Sequence, residues 1–215
     1  MEKIKLQETT YCDLQETTFC DINHPAIKAL AKKLADGETD PTKITETIFK
    51  YVRDNLRFGL DFVQVKASET LGKGYGGCWN KALLFVALLR SNKIPTRLGF
   101  ISLKREFLKL TLGEAYKDFH ETENHCFALV WLNDKWIAVD ATLDTRTYQK
   151  FFVPYNTPWG IDWNGRDDMY LYTENIAGPI DFFEDIDAAL QQDIGYVMPK
   201  NNDAFKLQNQ NLWQD

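Results

Sequence analysis

The spacing of apolar residues changes several times along the chain, and each change marks an element. Ile27, Leu30, Ala31 and Leu34 share one face of a helix that starts near Asn23-His24-Pro25 and ends at Asp36-Gly37. A second stripe, Ile44, Ile48, Phe49, Val52 and Leu56, follows Asp40 as N-cap and Pro41 at the first helical position. Residues 57–71 keep neither period and read as extended or irregular chain. From Cys78 to about Ser91-Asn92 the residues are apolar nearly all round, which predicts a buried helix, and Pro95 ends it. Thr96–Leu103 reads as a strand, and the polar-amphipathic residues 104–120 as an insertion that could cover a site. His125–Leu132 and Lys135–Thr142 then read as two strands of a hairpin. Beyond Leu143 aromatic and polar residues interleave, suggesting a loop-rich cover. A short helix is expected over Ile180–Gln191, and a poorly ordered tail from Lys200.

The hairpin carries the most information, because its loop, Asn133-Asp134, has two residues. That length pairs Trp131 with Trp136, Phe127 with Asp140 and His125 with Thr142. His125, Phe127 and Asp140 then share one face, expected to be the face toward Cys78. Cys126 points to the other face with Ala128, Val130, Ile137 and Val139. A loop of odd length would instead turn Asp140 away from His125.

Composition narrows the class. With 215 residues, 44% hydrophobic and 26% charged, the chain is expected to fold mainly as one soluble domain. The divisions are an N-terminal arm over 1–22, a domain over 23–198 and a polar tail over 199–215. A formal charge of −6 without a basic cluster argues against a nucleic-acid partner. No apolar run reaches the roughly 20 residues that span a bilayer, so no membrane partner is expected. The N-terminus lacks the apolar middle of a secretory signal. Four scattered cysteines (Cys12, Cys20, Cys78, Cys126) read as free thiols in a reducing compartment, the cytoplasm. The tandem repeat LQETTYCD (Leu6–Asp13) and LQETTFCD (Leu14–Asp21) has too few copies for a solenoid. A Cys12–Cys20 pair or metal site is the sharper reading of it. A local duplication in an extended arm is preferred, because zinc motifs use tighter spacing and more ligands.

The chemistry concentrates at Gly72-Lys73-Gly74-Tyr75-Gly76-Gly77-Cys78-Trp79-Asn80. A glycine-rich approach lets backbone come close to a bound group, and the helix start stabilises a thiolate. A nucleophilic cysteine needs a base in reach and a third group to orient that base. Cys78, His125 and Asp140 supply the three roles, with His120 as the competing base and His24 read as a surface residue at a helix start. The bland alternative makes Cys78 a small buried residue, His125 a strand-end polar group and Asp140 a turn residue.

The order Gly-Gly-Cys-Trp, an apolar helix ending Leu-Leu-Arg, Lys-Ile-Pro-Thr-Arg, a histidine at a strand start and Trp-Ile-Ala-Val-Asp-Ala-Thr resembles the transglutaminase-like superfamily over about Asp21 to Asp144. His24-Pro25-Ala26-Ile27 and Tyr51-Val52-Arg53-Asp54-Asn55 belong to the same resemblance. It implies an α+β, papain-like/transglutaminase-like core, with a buried central helix packed on an antiparallel sheet. It also implies a Cys-His-Asp triad carried onto Cys78, His125 and Asp140. The extra β domains and calcium loop of animal transglutaminases have no counterpart in this sequence. Phe58 stands where a donating tyrosine is often found, which leaves a second oxyanion donor open between Gln64 and a backbone N–H.

The function expected is cysteine-dependent acyl transfer from an amide, peptide or isopeptide, to water more than to an amine. The substrate partner is a peptide, protein or small amide, and the reading requires no cofactor and no metal. Two alternatives stand beside it. An arylamine N-acetyltransferase-like enzyme would need a basic cradle for coenzyme A, which the sequence does not display. A non-catalytic peptide-binding module would use the aromatic residues 148–163.

Overall fold

The computed structural model describes residues 11–183, 186–191 and 202–214, with side chains over 13–183, 186–191 and 205–214. Its centre is α4, Cys78–Ser91. A helix apolar on every side has no face to give to water, so it must be surrounded. Helices α1 (Pro25–Ala35), α2 (Pro41–Asn55) and α3 (Ala67–Lys73) pack against it, as do strands β3 (Thr96–Lys104) and β4 (Thr122–Leu132). Leu83, Leu84, Phe85, Val86, Leu88 and Leu89 are wholly inaccessible. Each contributes about 1.5–3 kcal/mol of transfer free energy.

The same helix buries three polar residues, and each is bonded. Asn80 accepts the Gly77 N–H (3.0 Å) and donates to Phe62 O (2.7 Å). Arg90 donates to Thr96 O and Gln15 O. Lys81 donates to Arg53 O (3.2 Å) and Leu56 O (2.8 Å), closing the C-terminal end of α2. Burial pushes the Lys81 ammonium down to about pKa 8, against the upward pull of Asp144, Asp54 and Asp140.

The main sheet is antiparallel with strand order β5-β4-β3-β6, where β5 is Lys135–Val139 and β6 is Ile176–Phe183. Asn133 and Asp134 both take positive φ (51° and 59°), the geometry of a two-residue hairpin turn. Trp131 pairs with Trp136 and Ala128 with Val139, as the even loop predicts. The ladder stops there, so Asp140 and His125 lie at the hairpin's open end. The fold is therefore mixed α and β, with a buried central helix on an antiparallel sheet.

Three segments differ from the sequence reading. Residues 180–183, expected at the start of a helix, are the end of β6, and the helix covers only Ile186–Gln191. The unpaired edge of β3 recruits them: Ile180 pairs with Ile101 and Phe182 with Gly99. Residues 67–71, expected extended or irregular, form α3 together with Gly72 and Lys73 of the expected glycine loop. Gly72 belongs to that helix, so the glycine approach to Cys78 is shorter than the sequence suggests. Asn202–Trp213, within the expected tail, is a helix and buries Phe205, Asn209 and Leu212. Asn209 exchanges hydrogen bonds with the backbone of Leu60 (2.7 and 2.9 Å).

The last residue of the first copy of the repeat and the second copy are wired into the fold. Asp13, which closes the first copy, forms a wholly buried ion pair with Arg97 (2.5 and 3.0 Å). The equivalent Asp21 accepts from the Ser68 N–H and hydroxyl. Asp187 accepts from the N–H groups of Thr18 and Phe19. Cys20 is a buried free thiol whose pKa burial pushes up to about 12, while the Cys12 side chain lies outside the described residues.

Candidate active site

Two short strands and a helix cap deliver Cys78. Strand β1 (Arg57–Phe58) pairs in parallel with β2 (Tyr75–Gly76), and α4 starts two residues later. Gly74 ends α3 in the left-handed region (φ 72°), where a side chain would be strained. Gly76 answers a different need. A Cβ there would stand 2.6 Å from the Asn80 Cβ, so the close return of the chain over the first turn of α4 excludes one. Trp79 stacks on Phe100 (4.5 Å) and donates to Asn124 O, which fixes that turn against the sheet.

His125 comes from β4 and Asp140 from the residue after β5. Nε2 of His125 donates to Asp140 Oδ2 across 2.5 Å. Asp140 Oδ1 accepts the Thr142 N–H (3.1 Å) and hydroxyl (2.6 Å), so the carboxylate is held from both sides. Nδ1 of His125 is buried and bonded to no oxygen or nitrogen. Cys78 neighbours the same imidazole and acts on it electrostatically. The three residues are thus brought together, and all are nearly closed to water: Cys78 is 6% exposed, His125 2% and Asp140 2%.

Charge in this enclosure is strongly coupled. Burial alone would push the imidazole pKa down, but the Asp140 charge and hydrogen bond, and then Cys78, raise it to about 10. An imidazole with a raised pKa adds stability that is complete below about pH 6.5. That stability is lost as pH rises through about 10.

Other candidates fall away on position. His120 is exposed on the surface, only its backbone N–H reaching inward. His24 is the N-cap of α1, accepting from the Ala26 N–H. Cys126 is fully buried, and its thiol is pushed well above the usual range by burial, then by the charges of Cys78 and Asp140. Strand alternation separates it from the site, since it is adjacent to His125 on β4 and points to the other face. Gln64 is exposed, and its amide donates to Leu190 O.

The cover over His125 was only partly readable. Phe107, from the segment 105–118, lies 6.2 Å from the imidazole, and Tyr172 lies edge-on at 5.3 Å. Tyr172 also packs on Phe107 (5.0 Å), Trp159 (4.9 Å) and Phe152 (5.7 Å). It sits in the left-handed region (φ 55°), a strained backbone for an aromatic residue. Interleaved aromatics signalled a cover here, but nothing in the sequence pointed to Tyr172.

Residues 28–141, more than half of the chain, match the family model described as transglutaminase-like superfamily. The chain belongs to the transglutaminase-like superfamily. The match contains the glycine approach, α4 and the hairpin up to one residue past Asp140. No curated protein matches the chain. Among solved structures, a candidate cysteine protease from Cytophaga hutchinsonii is similar at 21% identity with a TM-score of 0.48. The alignment covers 66% of this chain and 45% of that one. A candidate protease from Parabacteroides distasonis is 13% identical, with a TM-score of 0.42 over 61% of this chain and 25% of that one. Red sea bream transglutaminase is 20% identical, with a TM-score of 0.38 over 60% and 27%. This transglutaminase-like chain thus spans less than half the length of each. Among the described residues, no group of three or more His, Cys, Asp or Glu side chains is placed to hold a metal. Nor is any described helix long and apolar enough to cross a membrane.

Proposed function

We propose that this transglutaminase-like chain is a cysteine hydrolase of amide, peptide or isopeptide bonds, with Cys78, His125 and Asp140 as its triad. The observation that carries the reading is the orientation of His125: Nε2 is tied to Asp140, and the other ring nitrogen is left without an oxygen or nitrogen partner beside Cys78. Cys78 attacks the scissile carbonyl carbon as thiolate, forming a C–S bond as the carbonyl π pair moves onto oxygen. The Cys78 N–H, in the first turn of α4 and free of intrahelical bonds, donates to that oxyanion. The imidazolium of His125 gives its proton to the leaving nitrogen as the C–N bond breaks. Water, deprotonated by the now neutral His125, hydrolyses the thioester and restores the thiol. Asp140 holds the ring and stabilises its charged form. Water is proposed as the acceptor ahead of an amine. The buried free thiols Cys20, Cys78 and Cys126 support work in a reducing compartment, the cytoplasm.

The test is turnover of a peptide-amide library, read by mass spectrometry. Cys78→Ala is expected to reduce every amide cleavage the wild type performs to background. Cleavage surviving in Cys78→Ala would overturn the assignment.

A further inference from the structure

Glu123 has an environment that neither the fold nor the proposed triad explains. It lies two residues before His125 on β4, so its side chain leaves the strand on the same face, about 7 Å along. It is only 3% exposed. Oε1 accepts the His120 N–H (2.9 Å), while Oε2 is buried without any hydrogen-bond partner. The neighbouring cations are engaged or turned away. Arg105 donates to the carbonyls of Lys117 and Phe119, and Lys104, across the ladder from Thr122, is exposed. The cross-strand partner of Glu123 is Leu103, which is completely buried.

A carboxyl group with an unpaired oxygen in apolar surroundings is unfavourable. Burial pushes its pKa up to about 7, against the opposing hydrogen bond from His120. Packing alone would be served better by an apolar side chain of similar volume, and the bond to His120 by glutamine. What satisfies a lone carboxylate is a cation. Two residues along the same face, His125 is flanked by Phe107 (6.2 Å) and Tyr172 (5.3 Å), whose rings lie 5.0 Å apart, and aromatic faces also attract cations.

We propose that Glu123, with Phe107 and Tyr172, forms a subsite for a positively charged group of the substrate, an ammonium or guanidinium carried near the carbonyl that Cys78 attacks. The inference rests on the triad reading, and it concerns a side group of the substrate, not the leaving or attacking nitrogen. Entry requires the aromatic cover to shift, because Glu123 and Cys78 are both closed in this structure.

The test separates the subsite from the nucleophile. The full-length protein is treated with three methanethiosulfonates that differ in charge: 2-aminoethyl (cationic), methyl (neutral) and 2-sulfonatoethyl (anionic). Each forms a mixed disulfide with a thiolate and releases methanesulfinate. Modification is timed on the Cys78 peptide by mass spectrometry and normalised to a free cysteine peptide. The cationic-to-neutral rate ratio is expected to exceed one by about tenfold or more in the wild type. It is expected to fall to near one in Glu123→Gln, which keeps the acceptor for His120 and removes only the charge. Glu123→Leu, which fills the space without charge, gives a second reading should the glutamine variant fold poorly, and the same fall is expected. Equal ratios in wild type and both variants would overturn the subsite while leaving the nucleophile standing. A Cys78 that no reagent modifies would overturn the triad reading beneath it.

Discussion

Asp140→Asn is expected to lower kcat/KM by about 10³–10⁴-fold on any substrate the wild type cleaves, with little change in fold. The asparagine fills the same space and can still accept from Thr142. It removes the charge that, against burial, holds the His125 proton in place up to about pH 10. Without that charge, burial of the imidazole acts unopposed by its main partner, and the neutral ring is free to present the wrong nitrogen to Cys78. The measurement is kcat/KM alongside a circular dichroism spectrum. Activity within a few-fold of wild type would make Asp140 a turn residue, as the bland sequence reading has it.

The largest expected loss of stability lies far from the chemistry, at Asp13. Its pair with Arg97 is wholly buried, and the guanidinium is stacked between Trp136 (4.4 Å) and Phe182 (4.9 Å). Asp13→Asn leaves that cation without its counter-charge and is expected to cost about 3–5 kcal/mol. Urea unfolding would show this as a lower midpoint at unchanged slope. The double variant Asp13→Asn/Arg97→Met is expected to lose much less than the sum of its single changes, because it leaves no stranded charge. A single-variant loss below about 1 kcal/mol would contradict the account.

What the sequence disclosed follows from how local each signal was. The hairpin register was legible because one two-residue turn fixes it and dictates which side chains share a face. The central helix was legible because an apolar run of its length has few other ways to hide. The strand 176–183 was not, since its partner β3 lies over 70 residues earlier and strand addition at an edge leaves little local trace. Lys81 carries no signal in the apolar run around it; only the fold reveals the α2 carbonyls that accept from it. Glu123 and Tyr172 escaped for a related reason. A carboxylate on a strand looks solvated until tertiary packing removes the water, and strain at a tyrosine has no signature in composition.

The central claim is that His125 keeps Cys78 reactive, and site-resolved alkylation tests it most directly. The raised imidazole pKa, about 10, means that the imidazolium persists through neutral pH. Cys78 is therefore expected to react with limiting iodoacetamide almost as fast at pH 6 as at pH 8, and faster than Cys12, Cys20 or Cys126. A free thiol slows about tenfold per unit over that range. His125→Asn is expected to restore the free-thiol slope and to slow the pH 6 reaction by at least about tenfold. Alkylation of Cys78 that follows the free-thiol slope in the wild type, and is unchanged in His125→Asn, would contradict the account.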